Sequence, residues 1–180
     1  MASKRQKIGA IVAVIIMASA GLTGWIYFSR PTTPPTLAET LVLKPSDLGV
    51  DWYFKDSLPA DAISNKTLSF YGNELENMSL VLFSRVDVFN SSSDCNATYL
   101  WLKSYFNDSL ITDVQLGEKA FRMVAYDQVL VVFVKNNIIG QVETDRVPID
   151  IYHTQPFAWQ NDTTMTFASI LLGRFAAIPR

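Results

Sequence analysis

Residues 129–144 read VLVVFVKNNIIGQVET: two β-rich runs, Val129–Lys135 and Ile138–Thr144, joined by Asn136-Asn137. Two asparagines tolerant of positive φ between such runs predict a tight antiparallel hairpin. Upstream, Thr112–Leu116 and Ala120–Tyr126 repeat the pattern, set apart by Gly117-Glu118 and Asp127-Gln128. Earlier still, Thr67–Tyr71 and Met78–Phe89 predict a second hairpin, turning through Gly72-Asn73. In its second arm Leu80, Leu82, Ser84, Val86 and Val88 alternate with Val81, Phe83, Arg85, Asp87 and Phe89. The first half is apolar on both sides and the second half amphipathic, which predicts a central strand.

Around these strands, Trp52-Tyr53-Phe54 reads as the start of another strand. Before it come Leu37–Leu43, an apolar element with polar breaks, and the turn cluster Lys44-Pro45-Ser46-Asp47-Leu48-Gly49. Ser92-Ser93-Asp94 supplies cap chemistry for a helix to about Phe106, with Ala97, Leu100, Trp101, Ser104 and Tyr105 at helical spacing on its expected core face. A terminal helix is expected over about 162–177, capped by Asn161 or Asp162 and burying Met165, Ala168, Leu171, Leu172 and Phe175. The fold class that follows is α+β, a mainly antiparallel β-sheet packed by two helices on one face.

Ahead of that domain, Ile8–Phe28 holds 21 positions without a charge, entered through Lys4, Arg5 and Lys7 and left through Arg30. As a helix it spans roughly 30 Å, a bilayer's hydrocarbon thickness. The basic tail orients residues 1–7 to the cytoplasm, and Trp25, Tyr27 and Phe28 mark the outer interface. The expectation is a single-pass protein of the cell membrane with an extracellular C-terminal domain, residues 37–180. A cleaved signal peptide competes, because Ala18-Ser19-Ala20 fits the cleavage pattern, and cleavage near Ala20 would release a secreted protein. Hydrophobicity continues for eight residues past Ala20 into the aromatic belt, which favours the uncleaved anchor. Gly9, Ala13, Ala20 and Gly24 could pack against a partner helix, or simply reflect the composition of single-pass anchors. Residues 29–36 form a Pro/Thr linker, extended by Pro31, Pro34 and Pro35, that holds the domain slightly off the membrane.

All 17 acidic side chains lie after residue 30, against 11 Lys and Arg, a formal charge of −6. Scattered basic residues on an acidic domain argue against nucleic acid as a partner. Cys95 is the only cysteine, so no internal disulfide can form. Six of nine asparagines, Asn65, Asn77, Asn90, Asn96, Asn107 and Asn161, stand in N-x-Ser/Thr sequons, where chance would give about one or two. The excess predicts a glycoprotein facing the cell exterior, from an archaeal or eukaryotic source. No sequon lies between Asn107 and Asn161. Either that interval holds a docking face, or its strands leave less room for sequons.

Catalytic chemistry finds little support. His153 is the sole histidine and is far in sequence from Cys95, glycine-rich phosphate loops are absent, and no calcium or zinc spacing occurs. No catalytic residue, metal site or cofactor is therefore expected. The aromatic loop Tyr152–Trp159, with Tyr152, His153, Phe157 and Trp159, is a candidate partner-binding site, or else packs back on the terminal helix. A ligand-binding domain would instead place Trp52 and Trp101 around a pocket between sheet and helix.

Leu43-Lys44-Pro45-Ser46-Asp47-Leu48-Gly49 with Trp52, Leu116-Gly117-Glu118-Lys119-Ala120-Phe121-Arg122, Val129–Val134 with Asn136-Asn137-Ile138-Ile139, and a Leu/Ala-rich terminal helix occur in this order. The combination, over residues 37–178, resembles the PsbP-like and LpqN-type lipoprotein domains, including extracytoplasmic sensor domains of the PknH kind. The resemblance implies an antiparallel sheet flanked by helices, used for binding, sensing or supporting a membrane assembly without catalysis. This chain differs in having a membrane helix instead of a lipobox cysteine. The functional expectation is a non-catalytic accessory or binding domain working with another membrane or cell-envelope protein. The alternatives are a small-ligand-binding or sensing domain and a secreted hydrolase.

Overall fold

In the computed structural model, residues 36–58, 66–125, 127–147 and 158–178 are described. The expected membrane helix, most of the linker, Asn65 and the loop residues Tyr152, His153 and Phe157 lie outside them. Among the described residues no helix is long and apolar enough to cross a membrane. The described part falls within one compact unit, Pro35–Arg180.

The chain begins with helix α1 (Leu37–Leu41) and one-turn helix α2 (Pro45–Leu48), then strands β1 (Tyr53–Leu58), β2 (Thr67–Glu76) and β3 (Leu80–Phe89). Helix α3 (Ser92–Tyr105) follows, then a 3-10 turn (Asp108–Leu110), β4 (Ile111–Asp113), β5 (Lys119–Ala125), β6 (Gln128–Lys135), β7 (Ile138–Arg146) and helix α4 (Gln160–Ala176). The strands make one seven-stranded antiparallel sheet in the order β1-β2-β3-β7-β6-β5-β4. Two meanders, β1 to β3 and β4 to β7, meet where β3 pairs with β7 from Leu80↔Arg146 to Val88↔Ile138. The Asn136-Asn137 turn closes the β6–β7 hairpin, with Asn136 at φ 57°. β3 is paired on both sides, as its pattern predicts.

Helices cover both faces of the sheet, not one. On the first face Val131, Phe133 and Val142 join α1 and the α4 residues Phe167, Ala168, Leu171 and Phe175. On the second, Leu130, Val132, Val134, Phe121 and Met123 pack with Cys95 and Tyr99 of α3. The reason is β6 itself: a strand apolar at every position from Val129 to Val134 needs cover on both sides. Phe133 and Phe175, both fully buried, meet at a ring separation of 5.3 Å. Gly140 makes room for them. A Cβ there would run into the Phe133 ring.

Four local expectations are corrected. Gly72 and Asn73 lie inside β2 and do not turn the chain: Asn73 is buried, and its Nδ2 donates to the Leu43 carbonyl at 3.0 Å. The turn comes at Asn77, whose Oδ1 accepts from the Ser79 and Leu80 amides at 2.7 and 2.8 Å. The Lys44–Gly49 turn cluster contains a helical turn, held as the Lys44 amide donates to Asp47 Oδ2 at 2.7 Å. α3 is capped by Ser91, and the stripe expected to face the core, including Leu100, Trp101 and Tyr105, points to solvent while Cys95 and Tyr99 are buried. α4 starts behind Trp159 without a side-chain cap, neither Asn161 nor Asp162 serving.

Candidate functional site

The two tryptophans expected to share a pocket are held on opposite faces of the sheet. Trp52 packs edge-on against Phe167 of α4, rings 5.3 Å apart. Trp101 is 62% exposed on the outer side of α3. Trp159, the one described member of the aromatic loop's candidate set, stands half-exposed at the start of α4. Surface depressions of 320, 360 and 390 Å³ lie between α3 and the β4–β5 connection, beside α2 and β1, and between α1 and the end of α4. Neither Trp52 nor Trp101 lines any of these three.

Cys95 is almost wholly buried, and burial, followed by the charges of Glu118 and Asp87, pushes its thiol up to about 11. A nucleophile needs the thiolate, which is scarce at neutral pH in such a setting. Among the described residues no group of three His, Cys, Asp or Glu is placed to hold a metal ion.

The five sequon asparagines among the described residues occupy defined positions. Asn77 is in the β2–β3 turn, Asn90 follows β3, Asn96 is in the first turns of α3, Asn107 caps the 3-10 turn and Asn161 opens α4. At Asn77 and Asn107 backbone N–H donors fix which amide atom is oxygen, and at Asn96 the Lys119 ammonium does so at 2.5 Å. Their Nδ2 atoms, where a glycan would attach, make no hydrogen bond among the described residues. Asn161 differs: its Oδ1 accepts from Arg122 at 2.8 Å and its Nδ2 donates to Asp162 at 3.3 Å.

A feature the sequence reading missed lies on the second face, beyond α3. Gln141, Glu143 and Asp145 alternate along β7, a pattern that reads as a solvated strand edge. The register instead sets Glu143 between Phe83 of β3 and Leu130 of β6, two apolar neighbours. Burial, with the Asp145 charge beside it, raises Glu143 to about 7. Asp145 lies beside Val81 and is raised to about 6 by burial and then by Asp127, with Glu74 adding to this and Gln128 opposing it. Although Gln128 is near enough to act on this carboxyl, Oδ1 of Asp145 receives no donor and is buried. Elsewhere on this face charges are matched: Lys55 bridges Glu74 and Glu76 at 2.8 and 3.2 Å, and Arg85 binds Asp87 at 2.9 Å while lying 3.9 Å over Phe70. Both β7 carboxyls are thereby pushed well above the ordinary carboxylate range. A third ligand, which a metal would want, is not supplied.

No protein-family model matches the chain, and no curated protein matches it.

Proposed function

We propose that this chain is a single-pass membrane protein whose extracytoplasmic domain serves as a non-catalytic accessory or binding partner of another membrane or cell-envelope protein. The observation that carries the reading is the uncharged run Ile8–Phe28 between a basic tail and an aromatic belt, leading through eight residues into the domain. The excess of sequons supports an exterior location independently. The likeness to PsbP-like and LpqN-type domains rests on the short motifs quoted above and agrees with an antiparallel sheet flanked by helices.

The docking face we assign is the edge of the sheet at β4 and the connections around it. It belongs in sequence to the sequon-free interval, and Thr112, Asp113, Gln115 and Glu118 are exposed there, with the Asn96 sequon reaching its border at Lys119. β4 is the last strand in the sheet order, so its outer side is paired with no other described strand. A photoreactive side chain at Gln115, activated in native membranes, should give one defined cross-linked product. The same group at Met78, beside a sequon at the far turn, should give none. Equal labelling from both positions would defeat the assignment. The small-ligand alternative gains no support from geometry, since Trp52 and Trp101 do not meet.

A further inference from the structure

Leu100, Trp101 and Tyr105 turn 54, 62 and 75% of their surfaces to solvent along the outer face of α3. The two rings lie 6.2 Å apart at 43°, and Tyr105 also meets Phe106 edge-on at 5.4 Å. This is an ordered aromatic platform on a helix whose opposite face already fills the core. Exposed apolar patches of this kind mark an interaction site. The platform is only a few residues wide, whereas a stable protein interface takes about 20–30 residues a side. A second copy or a folded partner would find too little area.

What lies at its two ends are sequons. Asn96 stands five residues before Trp101, and Asn107 two residues after Tyr105, within about 7 Å along the backbone. Asn107 is exposed, and its Oδ1 accepts from both the amide and the hydroxyl of Ser109, at 3.0 and 3.1 Å. Those bonds hold the amide and leave Nδ2 for attachment. Hexopyranose rings carry an apolar face of C–H groups with partial positive charge, which fits the electron-rich face of an aromatic ring.

We propose that the α3 platform seats the chain's own carbohydrate: the first sugars of a glycan on Asn107 lie across Tyr105 and Trp101. This rests on the reading of the sequons as modified. In the attachment step Nδ2 of Asn107 attacks the anomeric carbon of a lipid-linked oligosaccharide. The new C–N bond forms as the bond from that carbon to the lipid phosphate oxygen breaks, the phosphate leaves with the electron pair, and the amide gives up one proton. No hydrogen bond of the Asn107 site is lost, because Oδ1 alone makes them. At Asn161 the same step would disturb the contact from Nδ2 to Asp162.

The test uses the full chain made in glycosylating cells and held in mild detergent, as wild type, Asn107→Gln, Tyr105→Ala and the double variant. Tyr105 and Asn107 are both exposed, and because Asn107 also caps the 3-10 turn, Ser109→Ala, which removes the sequon and keeps that cap, is run beside Asn107→Gln in both backgrounds. Mass analysis of the Asn107 peptide comes first, then melting and acrylamide quenching, with Trp101→Phe isolating the Trp101 signal. The glycan should be present. Ser109→Ala should lower Tm by about 2–4 °C and roughly double Trp101 quenching, and that Tm loss should vanish in the Tyr105→Ala background, whereas Asn107→Gln adds the loss of the cap. A modified Asn107 whose sugar is lost in Ser109→Ala with neither quantity changed overturns the stacking and leaves the sequon reading standing. An unmodified Asn107, in a chain modified at other sequons, overturns the proposal at its root. Dimers of the glycosylated chain that Tyr105→Ala dissociates would overturn it in favour of a second copy.

Discussion

Replacing Glu143 by Gln should make the domain more stable at alkaline pH, contrary to the usual effect of changing a partly buried polar residue. Phe83 and Leu130 flank this carboxyl across the sheet, and Asp145 adds a like charge two residues on. Its proton is therefore held to about 7, against an ordinary 4.5. Keeping it ionised in the fold costs about 1–3 kcal/mol, the upper end being the full electrostatic cost and the lower end allowing for water at a partly exposed side chain. The sign follows from linkage. A carboxyl whose folded pKa is raised stabilises fully below its unfolded pKa and loses that contribution as pH rises through the folded value. Gln keeps the shape and removes the charge. Urea unfolding of the detergent-solubilised chain, followed by tryptophan fluorescence, should show the variant more stable by about 1–3 kcal/mol near pH 8, with the gap closing towards about pH 5. A variant less stable than wild type at both pH values would refute the placement of Glu143 between apolar neighbours.

Arg174 donates to both Asp47 oxygens, at 2.6 and 2.7 Å, and to the Thr40 carbonyl at 3.0 Å, so it ties α1 and α2 to α4. Arg174→Ala should cost about 1–3 kcal/mol in chemical unfolding, and Asp47→Asn a similar amount, with the pair clearly non-additive in the double variant. Gly140→Ala drives a methyl into the Phe133 ring and should lower stability by about 1–3 kcal/mol, read as a fall in Tm, while Phe133→Leu in the same chain should recover part of it. Cys95, buried with its thiol near 11, should resist iodoacetamide at neutral pH and react only as urea unfolds the chain.

The strands were legible because they carry their own punctuation. Asn136-Asn137 had to turn, and the alternation from Leu80 to Phe89 had to lie inside a sheet. Gly72-Asn73 misled because a turn dipeptide and a core hydrogen-bonding asparagine look alike in sequence, and only Leu43, thirty residues away, tells them apart. Helix α3 is apolar on two sides, Cys95 and Tyr99 on one and Leu100, Trp101 and Tyr105 on the other, so spacing alone could not say which face the sheet would take. That choice also separated Trp101 from Trp52. Glu143 and Asp145 were invisible as a site because their environment is made by Phe83, Val81 and Leu130 on neighbouring strands, a matter of register rather than of local pattern. The sequons, in contrast, were read directly, and the structure adds which amide atoms are already engaged.

An exterior domain held by its own membrane helix is the central proposal. The most direct measurement is the intact mass and membrane behaviour of the chain recovered from native membranes after an alkaline wash, with protease added outside sealed cells. The expected result is a chain that begins before Ile8, stays in the bilayer, carries sugar mass on residues 37–180 and loses that domain to the external protease. A chain that begins just after Ala20 and washes free, or one protected from protease until the cells are opened, would contradict it.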